Sequence, residues 1–251
     1  MRQVPISTYL IVGDGKLATH LSYYLSKLNL NILKWSRSQN SVEDLQSKVK
    51  KANYILLAIN DDAIVPFFEE HELNNRICVH FSGQLYHEKI FGFHPLMTFS
   101  NDLYDEEFYK TIPFIGDVSE IHFREIFPEM KNEYHKVKPE DKAYYHSLCV
   151  LSGNGTTLLW ELVGQQMANI DLPEEILKPY LLKVCENILF SKPGRWTGPW
   201  YRKDLETVNS HLESIKDDQL SRLYSTLCQL SQNINPQKGA ENEDHSSDAT
   251  I

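Results

Sequence analysis

Apolar positions follow two regimes along the chain. Up to about residue 138, short β-favouring apolar runs alternate with stretches whose apolar residues recur at helical spacing; beyond it the helical period takes over. Tyr9-Leu10-Ile11-Val12 predicts a strand. Leu17, Leu21, Tyr24, Leu25 and Leu28 then mark one face of a helix. Asn31 to Trp35 predicts a second strand, and Val42 to Val49 a second helix with Ser41 as its N-cap. Tyr54 to Ile59 is a continuous apolar run, as expected of a strand covered on both faces. Asp61-Asp62 suits the start of the next helix, because carboxylates are favoured where free N–H groups and the helix dipole point outward. Ile77 to Phe81 predicts a further strand. Such alternation is the signature of a parallel sheet with helical crossovers.

Between Ile90 and Val137, strand-like pieces occur at Phe91-Gly92-Phe93, Ile112 to Ile115 and Tyr134 to Val137, with one helix near Ser119 to Phe127. After Pro139 the period predicts one long helix over Lys142 to Ile170, then helices over Glu174 to Ser191, Lys203 to Ile215 and Asp218 to Gln232. Gly153, Gly155 and Gly164 fall inside the long helix. Each costs about 1 kcal/mol relative to Ala there, so close packing is expected to compensate. The fold class is therefore α/β with a parallel sheet over residues 1–138, followed by an all-α domain over 139–234. Residues 235–251 set Lys238 against Glu241, Glu243, Asp244 and Asp248 with almost no apolar side chains, the composition of a disordered acidic tail.

Composition narrows the function more than the fold. Lys and Arg number 25 against 34 Asp and Glu, a formal charge of -9, which is a poor start for gripping phosphates of nucleic acid or an anionic membrane. No apolar run approaches the roughly 20 residues of a membrane helix, and Met1-Arg2-Gln3-Val4-Pro5 leads into a strand with no signal-peptide core. Cys78, Cys149, Cys185 and Cys228 form no Cys-x-x-Cys pair and read as reduced thiols, pointing to the cytoplasm.

The chemistry is concentrated where strands end. Gly13-Asp14-Gly15-Lys16-Leu17-Ala18 fits G-x-G-x-x-A directly after the first strand and at the opening of the first helix. Gly13 allows the tight turn, Gly15 lets backbone approach a pyrophosphate, and Ala18 lets helix and sheet pack closely. A tight turn without ligand, or the glycine-rich first turn of a methyltransferase, are the alternatives. At the end of the second strand, Trp35-Ser36-Arg37-Ser38 lacks the acid that would accept from a ribose 2′-hydroxyl. Arg37 can hold a 2′-phosphate bidentately, with Ser36 and Ser38 donating, which predicts NADP(H) over NAD(H); the alternative is a solvated loop arginine. Asn60, Asp61 and Ser82 follow the third and fourth strands, on the edge where open parallel sheets bind ligands. His94, fixed by Pro95, is a candidate acid/base group or donor to a carbonyl or imine. Trp196-Thr197-Gly198-Pro199, followed by Arg202 and Asp204, reads as a helix entry carrying side chains to a cleft, or as a capping turn. His80, His87 and His94 recur every seven residues across a glycine break, and no metal site is expected from them.

With these motifs in order, the sequence resembles the bacterial proteins of the DUF2520 type, which join an N-terminal Rossmann-like domain to a C-terminal helical domain of unknown function. The resemblance rests on Gly13-x-Gly15-x-x-Ala18, Asp61-Asp62-Ala63-Ile64, His80-Phe81-Ser82-Gly83, Phe93 to Phe99, and Thr197-Gly198-Pro199 through Arg202 and Asp204. That layout is similar to pyrroline-5-carboxylate reductase, ketopantoate reductase and the β-hydroxyacid dehydrogenases. It implies a helical domain like the C-terminal domain of 6-phosphogluconate dehydrogenase (6-phosphogluconate-dehydrogenase C-terminal-like), a cofactor cleft between domains, and a homodimer formed through the helices. The β-hydroxyacid dehydrogenases carry a Lys four residues before an Asn on the long helix. Asn154 matches that Asn, but Val150 stands where the Lys would be. Tyr144, Tyr145 and His146 lie two to three turns earlier, and the sequence leaves open which of them faces the cleft. The combined expectation is an NADP(H)-dependent oxidoreductase acting on a small carbonyl or imine, with His94, Asn154 and Asp204 as catalytic candidates and Arg202 shaping the far wall. The alternative is a catalytically silent NADP-binding, redox-sensing or scaffold protein.

Overall fold

The computed structural model describes residues 7–191 and 197–233, so the acidic tail and Trp196 lie outside the described residues. Strand β1 (Thr8–Val12) has Tyr9 and Ile11 in one apolar cluster and Leu10 and Val12 in another, all four fully buried. Alternate side chains of a strand point to opposite faces, so full burial of both sets requires helices on both sides of the sheet. The remaining strands are β2 (Asn31–Trp35), β3 (Tyr54–Leu57), β4 (Ile77–His80), β5 (Ile90–Pro95), β6 (Phe114–Gly116) and β7 (Tyr134–Lys136). They form one sheet in the order β2-β1-β3-β4-β5-β6-β7. The five leading strands are parallel. β6 runs antiparallel to β5, pairing Phe93 with Gly116, and β7 is parallel to β6, so the sheet is mostly rather than wholly parallel.

Helices α1 (Lys16–Lys27), α2 (Val42–Lys51) and α3 (Asp61–Glu70) provide the crossovers. Ser41 caps α2, its Oγ accepting from the Asp44 N–H at 3.3 Å. α4 (Glu106–Thr111) packs against α1, and α5 (Glu120–Ile126) against β7. One face of the sheet carries an aromatic-rich core that includes Tyr9, Tyr24, Phe93, Tyr109, Phe123 and Phe127. Inside it, buried Asn132 accepts from the Tyr24 hydroxyl at 2.6 Å and donates to the carbonyls of Tyr109 (2.7 Å) and Ile112 (2.9 Å), satisfying groups that would otherwise be stranded.

The long helix expected over Lys142 to Ile170 is instead two: α6 (Lys142–Ser152) and α7 (Asn154–Ala168), separated at Gly153. Ser152-Gly153-Asn154-Gly155 places four weak helix formers in succession, and bends concentrate at such Gly and Ser positions. Gly164 does have the close neighbour its cost requires. A Cβ there would stand 2.9 Å from Cγ of Glu174. α8 (Leu177–Phe190), α9 (Pro199–Arg202), α10 (Leu205–Ser214) and α11 (Asp218–Asn233) complete the helical part. No helix among the described residues is long and apolar enough to cross a membrane. The chain divides into two compact units, residues 1–160 and 161–251. α6 packs its first turns against the sheet, through contacts described next.

Candidate functional site

β1 pairs with β2 on one side and β3 on the other, so the chain reverses its direction of progress across the sheet at β1. A crevice opens outside the carboxyl ends of strands at such a point. The glycine turn lies there. Gly13 has φ of +123°, a conformation L side chains rarely adopt, and a Cβ on it would stand 2.2 Å from the Ala58 carbonyl oxygen. Gly15 is the N-cap of α1, and nothing lies within 4 Å of where its Cβ would be. No side chain caps α1 and its first turn holds no acid, so its free N–H groups face outward uncompensated. Beside the turn is a cavity of about 220 Å³ whose walls include Gly13, Asp14, Ala18, Ser36, Gln39 and Asn40.

The other residues of the motif separate by role. Lys16 is exposed, whereas Ala18 is buried and Leu17 packs against the core, so both hold α1 to the sheet. Arg37 and Ser38 lie in the turn after β2, both exposed, with Arg37 outside the cavity walls. Ser38 Oγ donates to Asp14 Oδ2 at 2.5 Å, and the Ser36 and Ser38 hydroxyls are 3.0 Å apart. These hydroxyls hold the Asp14 carboxyl below the usual carboxylate range. The donors that the sequence assigns to a phosphate are thus turned toward an acid of the neighbouring turn.

A second polar group gathers at the ends of β3, β4 and β5. Ser82 Oγ donates to Asp61 Oδ2 at 2.5 Å and accepts from the Leu85 N–H at 3.0 Å, tying the loop after β4 to the first turn of α3. Asn60, the residue before α3, is exposed. Lys142 Nζ, at the start of α6, lies 2.8 Å from Asp117 Oδ2, and both side chains are almost wholly buried. The pair sits beneath Gly92 of β5: a Cβ there would be 2.6 Å from each of these atoms and 2.8 Å from Cε1 of His80. His80 is fully buried, and neither ring nitrogen has a hydrogen-bond partner among the described residues. One turn along α6, Tyr145 Oη lies 2.8 Å from His94 Nδ1. His146 rests its ring on Gly83, where a Cβ would stand 2.5 Å from Cδ2, and its ring centre is 5.7 Å from that of His94. Tyr145 and His146 therefore face the sheet edge, and Tyr144 is exposed.

Burial keeps both inner histidines neutral. Desolvation, with Lys142 and His87 adding to it, lowers His80 to about 3. Desolvation, with His146 and Lys142 adding to it, lowers His94 to about 4. In the unfolded chain each would titrate near 6.5, so unfolding takes up protons below that pH and stability falls as pH drops from 6.5 toward 4. Each histidine contributes a slope of about 1.4 kcal/mol per pH unit in that window. Denaturant midpoints measured from neutral pH to pH 5 should show the decline, with a shallower slope in His94→Gln; a flat profile would contradict the burial assigned to these rings.

The two other catalytic candidates lie at the starts of later helices. Asn154 opens α7 and is exposed. Asp204, in the second unit, caps α10: Oδ1 accepts from the Thr207 N–H at 3.1 Å and Oδ2 from its hydroxyl at 2.8 Å. Both oxygens serve the capping turn that the sequence allowed as the alternative. Arg202, at the end of α9, is exposed. Lys142, Asp117 and the Tyr145–His94 contact were not singled out from the sequence. Gly92 was the available signal, since a glycine inside a strand often marks close approach of another group. No group of three or more His, Cys, Asp or Glu that could hold a metal ion occurs among the described residues.

Residues 117–231 match the family described as a domain of unknown function, DUF2520. No curated protein matches the chain by sequence. Among solved structures, a protein from Bacteroides fragilis described as a candidate NADP oxidoreductase is 22% identical, with a TM-score of 0.72 over 91% of this chain and 98% of its own. A protein from Thermotoga maritima is 20% identical, with a TM-score of 0.66 over 92% of this chain and 99% of its own. Pyrroline carboxylate reductase from Plasmodium falciparum, solved with NADP bound, is 12% identical, with a TM-score of 0.58 over 90% of this chain and 97% of its own. These similarities show a Rossmann-like sheet followed by a helical C-terminal region.

Proposed function

We propose that the chain is an NADP(H)-dependent oxidoreductase that passes hydride between the nicotinamide and a small carbonyl or imine compound. One observation carries the proposal: the space in front of Gly15 is open at an uncapped helix start, and its turn adjoins a cavity at the point where the sheet order reverses. Fold-level support comes from the structural relatives, of which one is described as a candidate NADP oxidoreductase and another was solved with NADP. When bound, the dinucleotide supplies or accepts the hydride.

The protein's own residues bind and orient. Backbone N–H groups of Gly15 to Ala18 receive the diphosphate, and Arg37 receives the 2′-phosphate, joined by Ser36 and Ser38 once their hydroxyls turn from Asp14. The linked pair Asp61 and Ser82, with Asn60, shapes the loop edge beyond β3 and β4. His94 holds the reacting oxygen or nitrogen of the substrate through a hydrogen bond. Lys142 does not replace the ammonium that Val150 lacks, because it is buried against Asp117. Asn154 remains in the proposal as a positioning residue, not as acid or base, and Asp204 has both oxygens committed to capping α10. A homodimer through the helical part belongs to the same reading, supported by exposed apolar side chains such as Leu151, Leu158, Leu189 and Phe190. The four unbridged cysteines support a reducing, cytoplasmic setting.

Calorimetry with each nucleotide tests the proposal. NADPH should bind about tenfold or more tighter than NADH, the worth of one charge-assisted hydrogen bond. Arg37→Glu should remove that margin while leaving NADH affinity in place. Equal binding of the two nucleotides by the unaltered protein would remove Arg37 from the site, and no binding of either would end the oxidoreductase reading.

A further inference from the structure

We infer that Tyr145 is the positioning residue that fixes His94 as its Nε2–H tautomer, so that His94 meets substrate as a neutral hydrogen-bond donor suited to a carbonyl oxygen rather than to a protonated imine. The inference rests on the oxidoreductase reading for its substrate, and on the contact itself for everything else.

Tyr145 Oη and His94 Nδ1 are 2.8 Å apart with the rings edge to face at 77°. One proton joins them, and its direction follows from what each partner could do otherwise. If Nδ1–H donated, the phenol would have to send its own proton elsewhere, and the group beside it is the Cys149 thiol, a weak acceptor. An unprotonated imidazole nitrogen is the far better acceptor, so the phenol donates to Nδ1. Burial, with Cys149 alongside, holds the Tyr145 phenol protonated well above the usual range for tyrosine. The charged and titratable groups facing His94 are His146 and Lys142, both on α6, and both disfavour an imidazolium. The carboxylate of this cluster, Asp117 after β6, is already joined to Lys142. A neutral ring with its Nδ1 accepting must carry its proton on Nε2. That nitrogen has no hydrogen bond to any described residue and is the donor left for a ligand.

A donor fixed in this way discriminates between substrates that the hydride chemistry alone treats alike. A carbonyl oxygen or the lone pair of a neutral imine accepts from Nε2–H, and the bond strengthens as negative charge builds on that atom. A protonated imine offers N–H instead, and two donors then face one another with no acceptor between them. The site accordingly selects carbonyl compounds over iminium ions.

The tautomer can be read without nucleotide or substrate. Long-range ¹H–¹⁵N correlation spectra of protein labelled at histidine distinguish Nδ1–H from Nε2–H rings, and His94→Gln identifies the His94 signals by their loss. At about pH 7 the native protein should show His94 as the single Nε2–H form. Tyr145→Phe should replace that form with a mixture, while the other histidine signals stay in place as a check on folding. An Nδ1–H ring or an imidazolium in the native protein would overturn the inference whatever happens to the variant. So would an unchanged His94 pattern in a folded Tyr145→Phe protein. Nucleotide affinity is measured apart, so a failed tautomer assignment and a failed dinucleotide site give different results.

Discussion

Gly13→Ala should cost about 3 kcal/mol or more of folding stability and abolish dinucleotide binding, whereas Gly15→Ala should fold nearly as the parent does and lose affinity alone. The two glycines are two residues apart, and the structure separates their reasons. At position 13 a methyl group would need a φ of +123° and would stand 2.2 Å from the Ala58 carbonyl oxygen, so the turn and β3 must move apart. Strain of that kind costs about 1–3 kcal/mol by itself, before the overlap is counted. At position 15 the φ is −72° and the space in front of the residue is open. Replacing Gly by Ala at this N-cap costs at most about 1 kcal/mol. A methyl group there intrudes only on something bound. Keeping a phosphate off one backbone N–H should weaken NADPH by about tenfold to a hundredfold. Urea midpoints and calorimetry on both variants decide the matter. If Gly15→Ala binds NADPH as tightly as the parent, the open space beside it is not where a diphosphate lies.

The second large effect is expected at Lys142. Lys142→Met should cost about 3–5 kcal/mol, because it leaves Asp117 charged, buried and unpaired. Lys142→Met combined with Asp117→Leu should recover much of that loss, since both charges then leave together and apolar volume replaces them. Equilibrium unfolding of the parent, the two single variants and the double variant completes the cycle. Strict additivity would show that the 2.8 Å contact carries no coupling. A Lys142→Met protein as stable as the parent would show that the ammonium is not buried as described.

The alternating half of the fold was legible because β1, β3 and β4 are covered on both faces, and continuous apolar runs of that length have few other uses. The glycine turn was legible because its spacing is dictated by sterics local to six residues. What escaped were features whose cause lies far along the chain. Lys142 at the start of a helix looks like any solvated lysine until Asp117 is found beneath Gly92. The break at Gly153 was hidden because the apolar period continues through it. Position 204 could be read as a capping residue or a cleft residue, and Thr207 three residues on is what commits its two oxygens. Arg37 shows the opposite limit: it is exposed in the turn after β2, and its role depends on a ligand.

The first turn of α6 carries Lys142 and, three residues later, Tyr145. One buried ammonium therefore sets the height and rotation at which a phenol is presented to His94. A change that loosens the lysine is expected to shift the phenol one turn along, and the imidazole with it. Robustness and selectivity are geared together through a single helical turn, and a search for hardier variants should leave positions 92, 117 and 142 alone unless a change in which compounds are accepted is wanted.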